Sequence, residues 1–220
     1  MFDELTLLRL MQLTDSALPI GTAAHSFGLE SMVEDRVVTP RNFEEYLRDY
    51  MEENGSLDTV FCHTAYQLPG LDDPRFAEAW AQLNHGIGAR RFSRESREAS
   101  LTLGRRFLRL AAELLGVPEV GGISGTHSHH AAGFALVART IGIDERRSVL
   151  AWLHQSAMMQ ISAAQRLMPL GQNAASAILW RLKPLLLDIS EREMTGECFT
   201  PLPETAAMRH SKLTVRLFIS

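Results

Sequence analysis

The sequence predicts an all-α protein, a single-domain bundle of about eight to ten helices around a buried central helix at residues 144–168. Three observations predict it. Helix start and stop signals recur along the chain. No segment before the C-terminal tail alternates apolar and polar residues with period two. The run from Asp144 to Met168 is apolar nearly all round, as in a helix buried in a core or at a subunit contact.

In that run Asp144 can accept from the free amides of the first turn, and Glu145 adds negative charge where the helix dipole favours it. Pro169 blocks continuation after Arg166. Val149, Leu150, Trp152, Leu153, Ala157, Met158, Met159, Ile161, Ala163, Ala164 and Leu167 cover most of the circumference, which predicts a core helix and a twofold contact. His154, Gln155, Gln160, Gln165 and Arg166 make it too polar to cross a membrane.

From the N-terminus, Asp3 and Glu4 precede a short helix carrying Leu5, Leu7, Leu8, Leu10, Met11 and Leu13, and Pro19 and Gly21 force a loop after it. A second helix is expected from about His25 or Ser26, with Gly28 inside it as a sign of close packing or a special role. Thr39-Pro40 reads as a cap and first position, and Asn54-Gly55 as a stop. A helix over about 57–68 follows, then a second cap-proline signal at Asp73-Pro74. Ser93 opens a helix running to about Leu115, closed by Gly116 and Pro118. The stretch from Glu119 to Ser128 reads as a loop, and a helix with Ala131, Phe134, Ala135, Ala138 and Ile141 ends at Gly142. After the central helix comes one carrying Ile178, Leu182, Leu186 and Ile189, which Pro184 should kink. A loop from Glu197, a short turn around Thr205–Met208 and an apolar tail complete the chain.

The 220 residues are 45% hydrophobic, enough for a substantial core. A net charge of -4 argues against a nucleic-acid binder, which usually shows a basic face. The two cysteines, Cys62 and Cys198, are too few for a disulfide framework and point to a reducing cytoplasm. The acidic N-terminus does not fit a signal peptide, and no run is long and apolar enough to span a bilayer.

His127, His129 and His130 cluster before a helix and are candidate ligands for zinc, nickel or copper, although no Cys or carboxylate completes a spacing signature. A stand-alone metal protein built on this loop is one reading. Gly121, Gly122 and Gly125 lack the Lys-Ser/Thr ending and preceding strand of a phosphate loop. The arginines between Arg90 and Arg109 read as a solvated face diluted by Glu95, Glu98 and Glu113. No nucleophile–base constellation stands out, so no catalytic residue is assigned.

Four segments together resemble the urease accessory protein UreF family. They are Ser16 to Gly21 with His25-Ser26 and Gly28-Leu29-Glu30; Glu95 to Gly104; Arg166 to Gln172 with Gln160, Ser162, Ala163 and Ala164 before it; and Met208-Arg209-His210 with Arg216-Leu217-Phe218 and Ser220. His129 to Ala135 follows a further family stretch in looser form. Thr22-Ala23-Ala24 lacks the family's usual aromatic. In the tail Ser211, Leu213 and Thr214 stand where an acid, a glutamine and a tyrosine are usual.

The resemblance implies a scaffold rather than an enzyme. It implies a cytoplasmic homodimer that binds UreD (also called UreH) and recruits the GTPase UreG. That complex would deliver nickel to the urease apoenzyme, with no cofactor bound by this chain and no nucleic acid or membrane as partner. The partner surface is then expected on the first loop (Pro19, Gly21, His25, Ser26, Gly28, Glu30) and the tail 208–220 (Met208, Arg209, His210, Arg216, Leu217, Phe218). Leu217 and Phe218 would anchor, and Arg209 and Arg216 would orient. Pro169, Gly171 and Gln172 carry a structural motif.

Overall fold

A computed structural model describes residues 3–192 and 196–219. Among them are eleven α-helical segments and no strand: α1 (Glu4–Leu13), α2 (Leu29–Glu34), α3 (Phe43–Tyr50), α4 (Ser56–Tyr66), α5 (Phe76–Arg90), α6 (Arg94–Leu115), α7 (Pro118–Gly122), α8 (His130–Thr140), α9 (Glu145–Leu167), α10 (Gln172–Glu191) and α11 (Pro201–Arg209). Without the single-turn α7, ten remain, the top of the expected range.

The end signals of the longest helices hold. Ser93 caps α6 by accepting from Ser96 N, and Gly116 ends it at φ 65°. Asp144 caps α9 by accepting from Arg147 N. Gly142 lies two residues past the end of α8 at φ 83°. Pro184 sits inside α10, which is helical on both sides of it.

Other signals were overridden. Helix α2 begins at Leu29, not near His25, because Phe27 and Gly28 have φ of 51° and 88°. Thr39 is not a cap; its N–H and hydroxyl both donate to Asn42 Oδ1, so Thr39-Pro40 forms a turn before α3. Asn54-Gly55 does not stop the chain. A π-helical stretch, Met51–Gly55, carries it straight into α4. A Cβ on Gly55 would lie 2.9 Å from Met51 Cε and 3.1 Å from Leu153 Cδ2, so the glycine serves close approach to α9. Helices α7 and α11, both opened by proline at a first-turn position, take up parts of the loop expected at 119–128 and of the loop and short turn expected at 197–208. Helix α1 forms, but Leu5, Leu7, Leu8 and Met11 face outward while Thr6 and Leu13 face in.

The core is shared by two helices. α8 packs against α6, α4 and α9, and α9 also runs along α10. Every residue from His130 to Ala138 is buried, whereas Leu150, Met158, Met159 and Leu167 of α9 stay partly exposed. The reason is side-chain size. Ala131, Ala132, Gly133, Ala135 and Ala138 let neighbouring backbones come close around α8. Eleven of the 23 residues of α9 are buried within its own chain.

Gly104 of α6 is the tightest approach: a Cβ there would sit 2.0 Å from Ser128 O and 2.9 Å from His130 N. Both neighbours are backbone, so neither can yield. Gly104→Ala should cost about 3 kcal/mol and lower the melting temperature by roughly 6–12 °C. An unchanged melting curve would show that α6 and α8 do not meet this closely.

Candidate functional site

The first loop, the end of α9 and the tail meet at one place. The loop needs left-handed backbone at Gly21, with φ 89°, and at Gly28. A Cβ on Gly28 would lie 2.4 Å from Pro203 O, so only glycine lets α2 and α11 touch here. His25 and Ser26 are buried beneath the loop, and Pro19 stays exposed. Burial, then the Arg106 cation, lowers the His25 pKa to about 4. Arg106 also donates to Ile20 O.

Glu30, in the first turn of α2, is 5% exposed. One oxygen accepts the Leu217 backbone N–H at 2.6 Å. The other meets His210 Nε2 at 2.6 Å and the Phe218 N–H at 3.3 Å. A buried carboxylate needs such partners, because each lone pair left without one costs desolvation energy. Arg166 closes the opposite side. It donates to Ala23 O and to Leu217 O, and its guanidinium lies 4.3 Å from the centre of the Phe218 ring. Ile219 N donates to Ala24 O at 2.8 Å. A small cavity of about 40 Å³ lies between Thr22, His25, Met159, Ser162, Arg166 and Phe218.

The tail is therefore docked on its own domain. His210 and Phe218 point inward; Met208, Arg209, Arg216 and Leu217 point outward. Phe218 fills the chain's own core, so of the two expected anchors only Leu217 remains available. Ile219 joins it at 70% exposure. Arg209 pairs with Asp35, the C-cap of α2. Ser220 lies outside the described residues. Pro169, Gly171 and Gln172 form the turn from α9 into α10, with Gly171 as its N-cap at an ordinary φ of -66°. Sequence reasoning named Glu30 but gave Arg166 no site role. A cation ending an apolar helix beside a loop and a tail was the available signal.

The histidine cluster does not converge. His127 is exposed. His129 is buried, with Nδ1 3.0 Å from Ser100 Oγ and its backbone N–H donating to Asn84 Oδ1. His130 lies in the core, edge-on to Trp152 at 4.8 Å. Among the described residues no group of three or more His, Cys, Asp or Glu could hold a metal ion. The stand-alone metal reading therefore has no ligand set among the described residues. Adjacent residues at a helix start point in different directions, and two of these rings are used for packing.

The burial has a pH consequence. Burial first, then Arg91, lowers the pKa of both His129 and His130 from 6.5 to about 3. The unfolded chain then binds more protons than the folded one below pH 6.5, so stability is complete above that value and falls as pH drops. Denaturant unfolding should show a loss of about 2 kcal/mol between about pH 7 and about pH 5.5. Equal stability at both would contradict neutral buried rings.

The comparisons with known proteins follow the same lines. A family profile described as UreF matches residues 37–183. Urease accessory protein UreF of Geobacillus kaustophilus (strain HTA426) is 32% identical over 224 residues, covering 97% of this chain and 98% of that protein. Urease accessory protein UreF of Bacillus sp. (strain TB-90) is 30% identical, covering 97% and 99%. Urease accessory protein F of Arabidopsis thaliana is 31% identical, covering 95% and 90%.

Proposed function

The chain belongs to the UreF family of urease accessory proteins, and on that premise we propose that it is a cytoplasmic scaffold for nickel insertion into urease. Its named relatives are accessory proteins rather than enzymes. In this reading the chain binds a UreD/UreH-like protein and recruits a UreG-like GTPase. The urease apoenzyme is engaged through that complex, and nickel is its cargo. No described helix is long and apolar enough to cross a membrane, and Cys62 and Cys198 are free thiols.

The observation that carries the proposal is the docked tail. Glu30 and Arg166 fix residues 217 to 219 from both sides, so that Leu217 and Ile219 face solvent in a set geometry. Exposed apolar side chains held rigid by the domain lose little entropy on binding, as an interface anchor requires. The exposed Arg216 and the half-exposed Arg209–Asp35 pair supply a polar rim. The uncovered Leu5, Leu7, Leu8 and Met11 of α1 form a second apolar surface, suited to the twofold contact of a homodimer.

Removing the tail outright would leave Glu30 buried without three of its partners, so a point change is the cleaner test. Leu217→Asp should leave the fold within about 0.5 kcal/mol of the original, since the side chain is exposed. It should weaken capture of co-expressed UreD-like and UreG-like proteins by about 30-fold, read by size exclusion with light scattering. The unchanged chain should give a complex holding two copies of itself. A complex that forms equally well with the variant would sink the tail as partner surface.

A further inference from the structure

The cleft beside His129 is outside the tail surface and has no role so far. It lies between the second half of α5, the first half of α6 and residues 126–129, with a volume of about 780 Å³. That is within the range of ~300–1,000 Å³ typical of binding pockets. Arg94, Arg97, His85 and His127 line it, against one carboxylate, Glu98. Arg94 takes up that carboxylate at 2.6 Å, and both are exposed. Arg97 spends one terminal nitrogen on the carbonyls of Arg91 and Phe92. Among the described residues no carboxylate pairs with Arg97, His85 or His127. A guanidinium has five N–H donors, so most of the Arg97 fork remains for a ligand.

The floor is His129, 2% exposed. Its Nδ1 is engaged by Ser100, and its Nε2 lies 3.5 Å from where a Cβ on Gly88 would be. Gly88, which also lines the cleft, thus puts no side chain over Nε2. Burial first, and then Arg91, His127 and Arg97, push the His129 pKa down, and these neighbours are cations or histidines in a chain of net charge -4.

We propose that this cleft binds an acidic segment of a partner protein, with a Glu or Asp carboxylate received between Arg97 and His127 above His129. Two features favour a carboxylate-bearing segment over a phosphate. Two amides at the start of α6 are already taken: Ser93 N donates to Glu204, and Ser96 N to Ser93 Oγ, which removes part of the backbone cradle that phosphate uses. Ala81, Ala89 and Leu101 make much of the wall apolar, which suits the aliphatic parts of a peptide.

The test titrates the full chain with a hexa-glutamate peptide, with hexa-glutamine and inorganic phosphate as controls. The readouts are fluorescence anisotropy and imidazole NMR. Hexa-glutamate should bind, shifting the His127 and His129 ring signals and leaving His25 unmoved. Raised salt should weaken it. His127→Ala and Gly88→Ala should each weaken it about tenfold or more. Gly88→Ala should fold as the original does, because alanine favours a helix and its methyl makes only ordinary contact with the ring. Three outcomes overturn the proposal: no binding of hexa-glutamate, binding unaffected by Gly88→Ala and His127→Ala, or equal occupancy by phosphate.

Discussion

One buried carboxylate organises the end of this protein. Glu30 accepts from the Leu217 and Phe218 amides and meets the His210 ring, all within a region closed to water. A charged group is expensive to bury and becomes favourable only when its lone pairs are filled. The residues that fill them come from the last dozen positions, so the first loop and the tail form one unit. Partner surface and domain core are consequently not separable. Phe218 belongs to the core, while Leu217 and Ile219 beside it face out.

The same unit is tied to the rest of the bundle by close backbone contact and by a second carboxylate. Gly28 lets the start of α2 touch Pro203 of α11. Glu204 of α11 accepts the Ser93 N–H at the start of α6. Further in, Asp58 pairs with Arg91 at 2.7 Å and accepts from Trp152 Nε1, although burial raises its pKa against the pull of Arg91. α2, α4, α6, α9 and α11 are thus linked through polar side chains as well as apolar packing. An accessory protein that presents a rigid surface gains from this arrangement, because the surface is ordered before a partner arrives.

Much of the fold was legible in the sequence because the strongest local signals are covalent and steric. Ser93, Asp144, Gly116 and Pro169 act through their own backbone neighbourhood, so the ends of α6 and α9 could be read directly. Gly55 was misread because a tertiary contact decides it, the glycine making room for Leu153, and Thr39 because a competing local turn does, its N–H and hydroxyl donating to Asn42 Oδ1. The outward apolar face of α1 could not be foreseen, since periodicity gives a face but not what covers it. At the candidate site, resemblance to a family picked out Glu30, Gly28 and the tail. It could not show that Phe218 packs at home, because that depends on a loop nearly two hundred residues earlier in the chain. The histidines looked like ligands in sequence and part in space: His130 goes into the core, while His127 and the buried His129 border the cleft.

The measurement that tests this account most directly is amide hydrogen exchange on the tail of the full chain and of Glu30→Gln. The amide side chain keeps the size of the carboxylate but loses its charge and one of its two acceptor oxygens. If Glu30 holds the tail, exchange at Leu217 and Phe218 should accelerate by roughly tenfold to a hundredfold, as expected when charge-assisted bonds of about 1.5–3 kcal/mol are weakened. Protection in α8 should stay as it was. Equal protection of the tail in both proteins would contradict the account, and would mean that Phe218 packing alone keeps the chain end in place.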